Sequence, residues 1–404
     1  MKITQFEGLL LGPKMPGALA LAISAVSGHA VPRTPTQDTE VIERLPFRTG
    51  DTTARELADL RAAVAKAPAD PDPAVALALR YFDLAAERGD PRFVGYAEAL
   101  VGRFATQMNA PLLVVRGMVR QYRHDFDDAL ADFAAALALD ADLASAHAWR
   151  GAISLVQANY AAAAKECDAL QRLQRTVLQA GCAGVTQAST GNLDAAFKTL
   201  KQALATTKDK DYSLWLHTRL GEVAAWQGQA AVAEQHYRQA LALGIDDGYL
   251  LAAWSDFLLD QGRADQVIAL LGKWEPVDGL LLRLALAETM LKLPAAKAHT
   301  QTLDDRFAAA RLRGDTTHQA EEARFHLVLR KDAKEALRLA AENFQVQKEP
   351  RDARIVLEAA LAASDPAGAK EATAWLKSSG FEGTILRGLA QELQASTAAT
   401  GGAK

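Results

Sequence analysis

From residue 110 onward, small and apolar positions follow one recurring order. Gly117 is followed by Phe126, Ala129, Phe133, Ala136 and Leu137. Gly151, Tyr160 and Ala163 recur thirty-four residues after Gly117, Phe126 and Ala129. Within each period the apolar residues fall three and four apart, the spacing of one helix face. Each period holds two such runs around a short polar break, which predicts two antiparallel helices. A fixed period of this length marks a repeat architecture in which each unit packs only on its neighbours.

The pattern is looser on both sides of this block. Val31 to Gly50 carry Pro32, Pro35 and Pro46 among polar residues and read as an extended linker. Helical spacing starts near Thr52 with Leu57, Leu60 and Val64. Asp70-Pro71-Asp72-Pro73 starts a second helix, with Pro tolerated in the first turn. Its partner is expected from Phe93 to about Met108. After Pro276 the register decays, although helical runs continue. A last amphipathic run, Thr384 to Leu393, reads as a cap over the open end of the array. The expected organisation is a leader (1–30), a linker (31–50), N-terminal hairpins (51–109) and well-formed repeats (110–276). Degenerate hairpins with a capping helix (277–395) and a disordered tail (396–404) complete the chain.

The Gly117 unit resembles a tetratricopeptide repeat. That family has a small residue on the first helix, then a turn residue, an aromatic, an Ala, a second aromatic and an Ala-Leu pair. The first clear unit here offers Gly117, His124, Phe126, Ala129, Phe133 and Ala136-Leu137. The next offers Gly151, Ala158, Tyr160, Ala163, Cys167 and Leu170. A third has Gly184, Gly191, Ala196 and Leu200; a fourth has Gly221, Gly228, Ala233 and Tyr237. A fifth is weaker, with Trp254, Gly262, Val267 and Leu271. The small residues let the second helix approach, and Gly191, Gly228 and Gly262 suit the left-handed turn at a helix end. The spacing slips to a longer interval between Gly184 and Gly221, which places an inserted polar loop at Thr206 to Tyr212. The resemblance implies an all-α right-handed solenoid of about eight antiparallel helical hairpins.

In this family the first helices line a concave groove. Their free positions here include Tyr122, Trp215, Glu222, Trp226, Tyr249 and Asp256. The resemblance implies a protein or peptide partner held there, with the aromatics as rigid anchors. Trp215 and Trp226 also suit the core between repeats. Some members clamp a C-terminal carboxylate with Lys, Asn and Arg. The matching positions here include Val114, Met118, Ala148 and Ala152, so that clamp is not expected.

Composition narrows the partner and the compartment. The 404 residues carry a net charge of −4, with no basic excess to attract nucleic acid. Lys2 and Lys14 precede an apolar run from Ala18 to Val26, and Gly28-His29-Ala30 supplies small residues at a cleavage site. This is the form of a secretory signal cut after Ala30, giving a periplasmic or secreted protein. The run is too short to span a bilayer as a stable helix. A cytosolic adaptor, with the leader uncleaved or with Met15 as the true start, is the competing reading. Cys167 and Cys182 are the sole cysteines, on helices that should pack together. A bridge between them is open, but two small buried residues at packing positions is the expectation here.

No catalytic pattern stands out. The chain lacks Gly-x4-Gly-Lys-Ser/Thr, Gly-x-Ser-x-Gly and His-Glu-x-x-His. Its histidines are scattered over different repeats. Asp125, Asp127 and Asp128 start a second helix, where the macrodipole favours negative charge. No catalytic residue, cofactor or metal is expected, and the chain reads as a non-catalytic scaffold.

Overall fold

The computed structural model describes residues 51–401, with side chains to residue 396. The leader, its cleavage site and the linker lie outside the described residues.

Helix α1 (Thr52–Lys66) leads into nine antiparallel hairpins among the described residues. The first three are α2 and α3 (Pro71–Arg88, Arg92–Gly102), α4 and α5 (Ala110–Tyr122, Phe126–Leu139), and α6 and α7 (Ala144–Val156, Tyr160–Arg172). The middle three are α8 and α9 (Thr176–Ser189, Leu193–Thr206), α10 and α11 (Lys210–Trp226, Ala230–Ala242), and α12 and α13 (Gly248–Asp260, Ala264–Leu271). Then come α14 and α15 (Asp278–Met290, Ala295–Leu312), α16 and α17 (Gln319–Phe325, Ala333–Val346), and α18 and α19 (Pro350–Ala363, Lys370–Ser379). A single π-helical turn, His326–Arg330, extends α16. Helix α20 (Thr384–Gly401) closes the array and runs past the end expected at Leu393.

Local chemistry sets the boundaries. Asp51, Asn109 and Asp247 each accept a backbone N–H from the first turn they precede, at 2.8–3.0 Å. This satisfies donors that a helix start leaves open. Asp209 does the same for Asp211 and Tyr212. It therefore begins α10 at Lys210, and the polar insertion becomes an extra helical turn where the sequence suggested a loop. Gly191, Gly228 and Gly262 take φ of +76°, +76° and +70° between paired helices. His124 and Ala158 take φ of +63° and +58° at the same place in their repeats.

The repeat residues are the core. A Cβ on Gly117 would come 2.6 Å from the Phe133 ring, and one on Gly221 would come 2.9 Å from Tyr237. Gly184 meets Leu200 in the same way, at 2.7 Å. These contacts show why the first helix carries no side chain there. In the second unit the large residue is replaced by Cys167, which is bonded to Cys182 of α8, with Cα atoms 5.5 Å apart. The expectation of two unbridged buried thiols is corrected here. The bridge takes the seam that an aromatic fills elsewhere.

First helices α4 to α18 pack side by side along the inner face, and the array winds tightly enough to meet itself. The turn before α18 reaches back to the third hairpin, where the Lys348 N–H donates to the Val156 carbonyl at 2.7 Å. Trp375 of α19 donates its indole N–H to the Tyr160 hydroxyl at 2.9 Å. The Leu193 N–H donates to the Glu382 carboxylate at 3.0 Å. Arg354 of α18 forks onto both oxygens of Asp260 at 2.7 Å. Leu200, Leu220, Leu357, Trp375 and Phe381 accordingly share one apolar core, although they lie far apart along the chain.

Candidate functional site

The winding turns the concave face from an open trough into a partly enclosed chamber of about 310 Å³. First helices α6 to α18 and the start of α20 line it. Its lining includes the apolar side chains Leu155, Val185, Trp226, Ile355 and Ile385. It is also crowded with paired charges.

Glu222, Trp226, Tyr249 and Asp256 line this chamber. The first, third and fourth have partners within the chain. The Tyr249 hydroxyl donates to Glu222 at 2.6 Å, and Arg219 donates to both Tyr249 and Glu222 at 2.7 and 2.9 Å. The Arg219 guanidinium also sits 4.6 Å above the Tyr249 ring centre. Burial pushes the Tyr249 phenol well above its ordinary range. Asp256 accepts from Arg283 at 2.6 Å and from Arg324 of α16 at 2.5 Å. Burial alone would raise the Asp256 carboxyl, but Arg283 and Arg324 together hold it well below the usual carboxylate range. Trp226 packs edge-on against Phe381, with ring centres 5.3 Å apart.

Tyr122 and Trp215 lie elsewhere. Trp215 is buried, with its ring against Gly181 of the preceding first helix, so it belongs to the core between repeats. Tyr122 ends α4 with about a third of its surface exposed; burial, with Asp315 and Asp90 nearby, pushes its phenol up.

Several chamber residues carried no signal in the repeat register. Arg219 stands one turn before Glu222, an i,i+3 spacing that could have pointed to it. Arg324, Glu349, Arg351 and Arg354 come from hairpins whose register has decayed, and only the winding brings them to this face. Burial pushes the Asp352 carboxyl up to about 7. That carboxyl closes a capping box at the start of α18, accepting the Glu349 N–H at 3.1 Å, and Asn343 donates to it as well. With 2 % of its surface exposed, Asp352 is held at the helix end by these bonds.

Most other ionised groups neutralise one another. Among the described residues, no group of three or more His, Cys, Asp or Glu side chains is arranged to hold a metal ion. Also among the described residues, no helix is long and apolar enough to cross a membrane.

No family model and no curated protein matches the chain. Solved structures do resemble it. A tetratricopeptide repeat protein from Parabacteroides merdae is 16% identical, covering 58% of this chain and 92% of its own, with a TM-score of 0.43. The structure of the anaphase-promoting-complex hetero-tetramer Cut9–Hcn1 gives 14% identity, 85% and 67% coverage, and a TM-score of 0.45. Yeast Tom70 gives 17% identity, 79% and 61% coverage, and a TM-score of 0.32. Likeness at these levels says nothing about activity. The register of small and aromatic residues, and the hairpins that it builds, make this chain a solenoid of tetratricopeptide-like helical hairpins.

Proposed function

We propose that the protein is a non-catalytic binding protein of the bacterial cell envelope, and that its concave chamber holds a peptide or a short segment of a partner chain. The chamber itself carries this reading. It joins apolar side chains to fixed polar groups, the general form of a ligand site, and its volume suits a short segment better than a long one. An extended peptide along the whole inner face would have to displace contacts such as Arg354–Asp260.

The Cys167–Cys182 bridge supports export, since such bonds persist in oxidising compartments. So does the apolar leader with its small-residue cleavage site. A cytosolic adaptor is the second reading, and N-terminal sequencing of the mature chain separates the two: a terminus at Val31 supports export, and an intact Met1 or Met15 overturns it.

Filling the chamber tests the binding site. Ala252 lines it and is half-buried, so Ala252→Trp would occupy the space while leaving the ion pairs in place. A partner captured from envelope extract by the unaltered protein should be lost from Ala252→Trp at unchanged helicity. Equal capture by both would remove the chamber from consideration.

A further inference from the structure

The charges lining the chamber are nearly all spoken for. Arg219 is held by Glu222 and Tyr249, and Arg283 and Arg324 by Asp256. Arg354 is held by Asp260 and Glu358. Three chamber charges stand apart. Arg351, in the first turn of α18, has a single hydrogen bond, to Glu349 at 2.7 Å, and 54% of its side chain is accessible. It lines the chamber and makes no other hydrogen bond among the described residues. Lys348, three residues earlier, also lines the chamber, and its ammonium makes no ion pair among the described residues. Glu321 of α16 lines the chamber as well, and its carboxylate has no hydrogen bond or ion pair among the described residues. It is the one lining carboxylate so placed among the described residues.

Arg351 and Glu321 come from adjacent first helices. Glu349 first, and then Asp352, Tyr249 and Glu321, hold the Arg351 guanidinium above its ordinary range. Yet Arg351 and Glu321 form no ion pair with each other. A guanidinium with one partner, an unpaired ammonium and an unpaired carboxylate therefore share one partly enclosed space with apolar side chains. Ile385, among the latter, is 42% exposed.

A ligand carrying only negative charge would meet Glu321, and one carrying only positive charge would meet Arg351 and Lys348. A wholly apolar ligand would strip water from all three without replacing its hydrogen bonds. A zwitterion satisfies both ends through charge-assisted bonds.

We propose that the chamber binds a short apolar zwitterion, a free dipeptide or amino acid, with its carboxylate on Arg351 and its ammonium on Glu321. The side chains of such a ligand would lie against Trp226, Ile355 and Ile385. This rests on the chamber being the ligand site proposed above and names the class of ligand. Specificity would come from charge separation at the two ends, and the apolar lining would tolerate different side chains.

Leucyl-leucine is a suitable probe. Titration calorimetry of the full mature protein would compare it with its N-acetylated and C-amidated forms. Each cap should weaken binding at least tenfold. Glu321→Gln should lose about tenfold in affinity for the free dipeptide and become indifferent to acetylation. Arg351→Gln should become indifferent to amidation. Equal affinity for free and capped forms would overturn the proposal, and so would a folded Glu321→Gln that binds the free dipeptide unchanged. The capped series on the unaltered protein decides the question even if a variant fails to fold. Retained dipeptide binding by Ala252→Trp would place the ligand outside the chamber and overturn it too. If no dipeptide binds but Ala252→Trp abolishes partner capture, the zwitterion assignment falls while the chamber reading stands. Unchanged partner capture as well would end both.

Discussion

Trp149 stacks on Phe133, with ring centres 6.5 Å apart and planes 6° from parallel. This contact joins the second helix of one hairpin to the first helix of the next. One hairpin later, Cys182 is bonded to Cys167 in the corresponding seam. Phe133 and Cys167 both stand sixteen residues after a packing glycine, and Trp149 and Cys182 both stand two residues before one. A covalent bond thus replaces an aromatic stack at a point where two small side chains would leave the seam thin.

Removing that bond should be costly. The bridged residues are 15 apart in sequence, and a loop of that size restricts the unfolded chain by about 3 kcal/mol in the entropic account. The Cys167→Ala, Cys182→Ala double variant should lose about 2–3 kcal/mol in urea denaturation. Thiol labelling of the unfolded, unreduced protein should find no free cysteine; two labelled thiols would show that the bond does not form.

Two glycines at equivalent positions should respond differently to the same change. A Cβ on Gly117 falls 2.6 Å from Phe133, which is fully buried and trapped under Trp149. Gly117→Ala should cost about 1–3 kcal/mol from overpacking, after about 1 kcal/mol of helix propensity is recovered. A Cβ on Gly151 meets nothing nearer than 3.4 Å. Gly151→Ala should be neutral or stabilising by up to about 1 kcal/mol. Denaturation midpoints of the two variants would show this contrast, and equal losses would contradict it.

Lys292 sits exposed between α14 and α15 with φ of +56°. A side chain in the left-handed region is strained by about 1 kcal/mol, which glycine avoids. Lys292→Gly should therefore raise the thermal midpoint by one or two degrees, a small shift in a protein of this size. A fall in the midpoint would mean that the lysine makes a contact worth more than the strain.

His217 and His236 face each other with Nδ1 atoms 3.0 Å apart. Such a bond needs an N–H on one ring and a lone pair on the other, so doubly protonated rings cannot make it. Phe197 packs edge-on against His236. Burial, with His217 and Lys201 nearby, pushes His236 down to about 4, and burial also lowers His217. Both lie below the unfolded value of about 6.5, so the unfolded chain binds more protons in this window. The stability that these rings contribute should be complete above about pH 6.5 and fall as pH drops towards 4. For His236 the loss is at most about 3 kcal/mol. Urea denaturation at pH 7 and pH 5 should show the fall, and His236→Leu should flatten it. A slope unchanged by that substitution would assign the pH effect to other groups.

The repeat residues were legible because their roles are local. Gly117 and Phe133, or Gly221 and Tyr237, meet within one hairpin, so a fixed spacing identifies both. The site residues were legible only as positions facing inward. Trp226, Tyr249 and Asp256 are free as far as a single repeat is concerned. In the structure Trp226 meets Phe381, Tyr249 meets Arg219, and Asp256 meets Arg324. The cysteine pair could be placed on neighbouring helices, but spacing does not distinguish a bond from two buried thiols.

The sequence alone determined that the chain is a row of helical hairpins, where most helices begin and end, and which glycines and aromatics hold each pair together. These are short-range matters of periodicity, capping and side-chain size. Only the tertiary structure decided that the row closes on itself and that its inner face is a chamber. Small rotations between successive hairpins add up over nine units, and no single repeat encodes their sum. That sum brings Arg351 and Glu321 into the chamber with Trp226, and with them the chemistry of what this protein would bind.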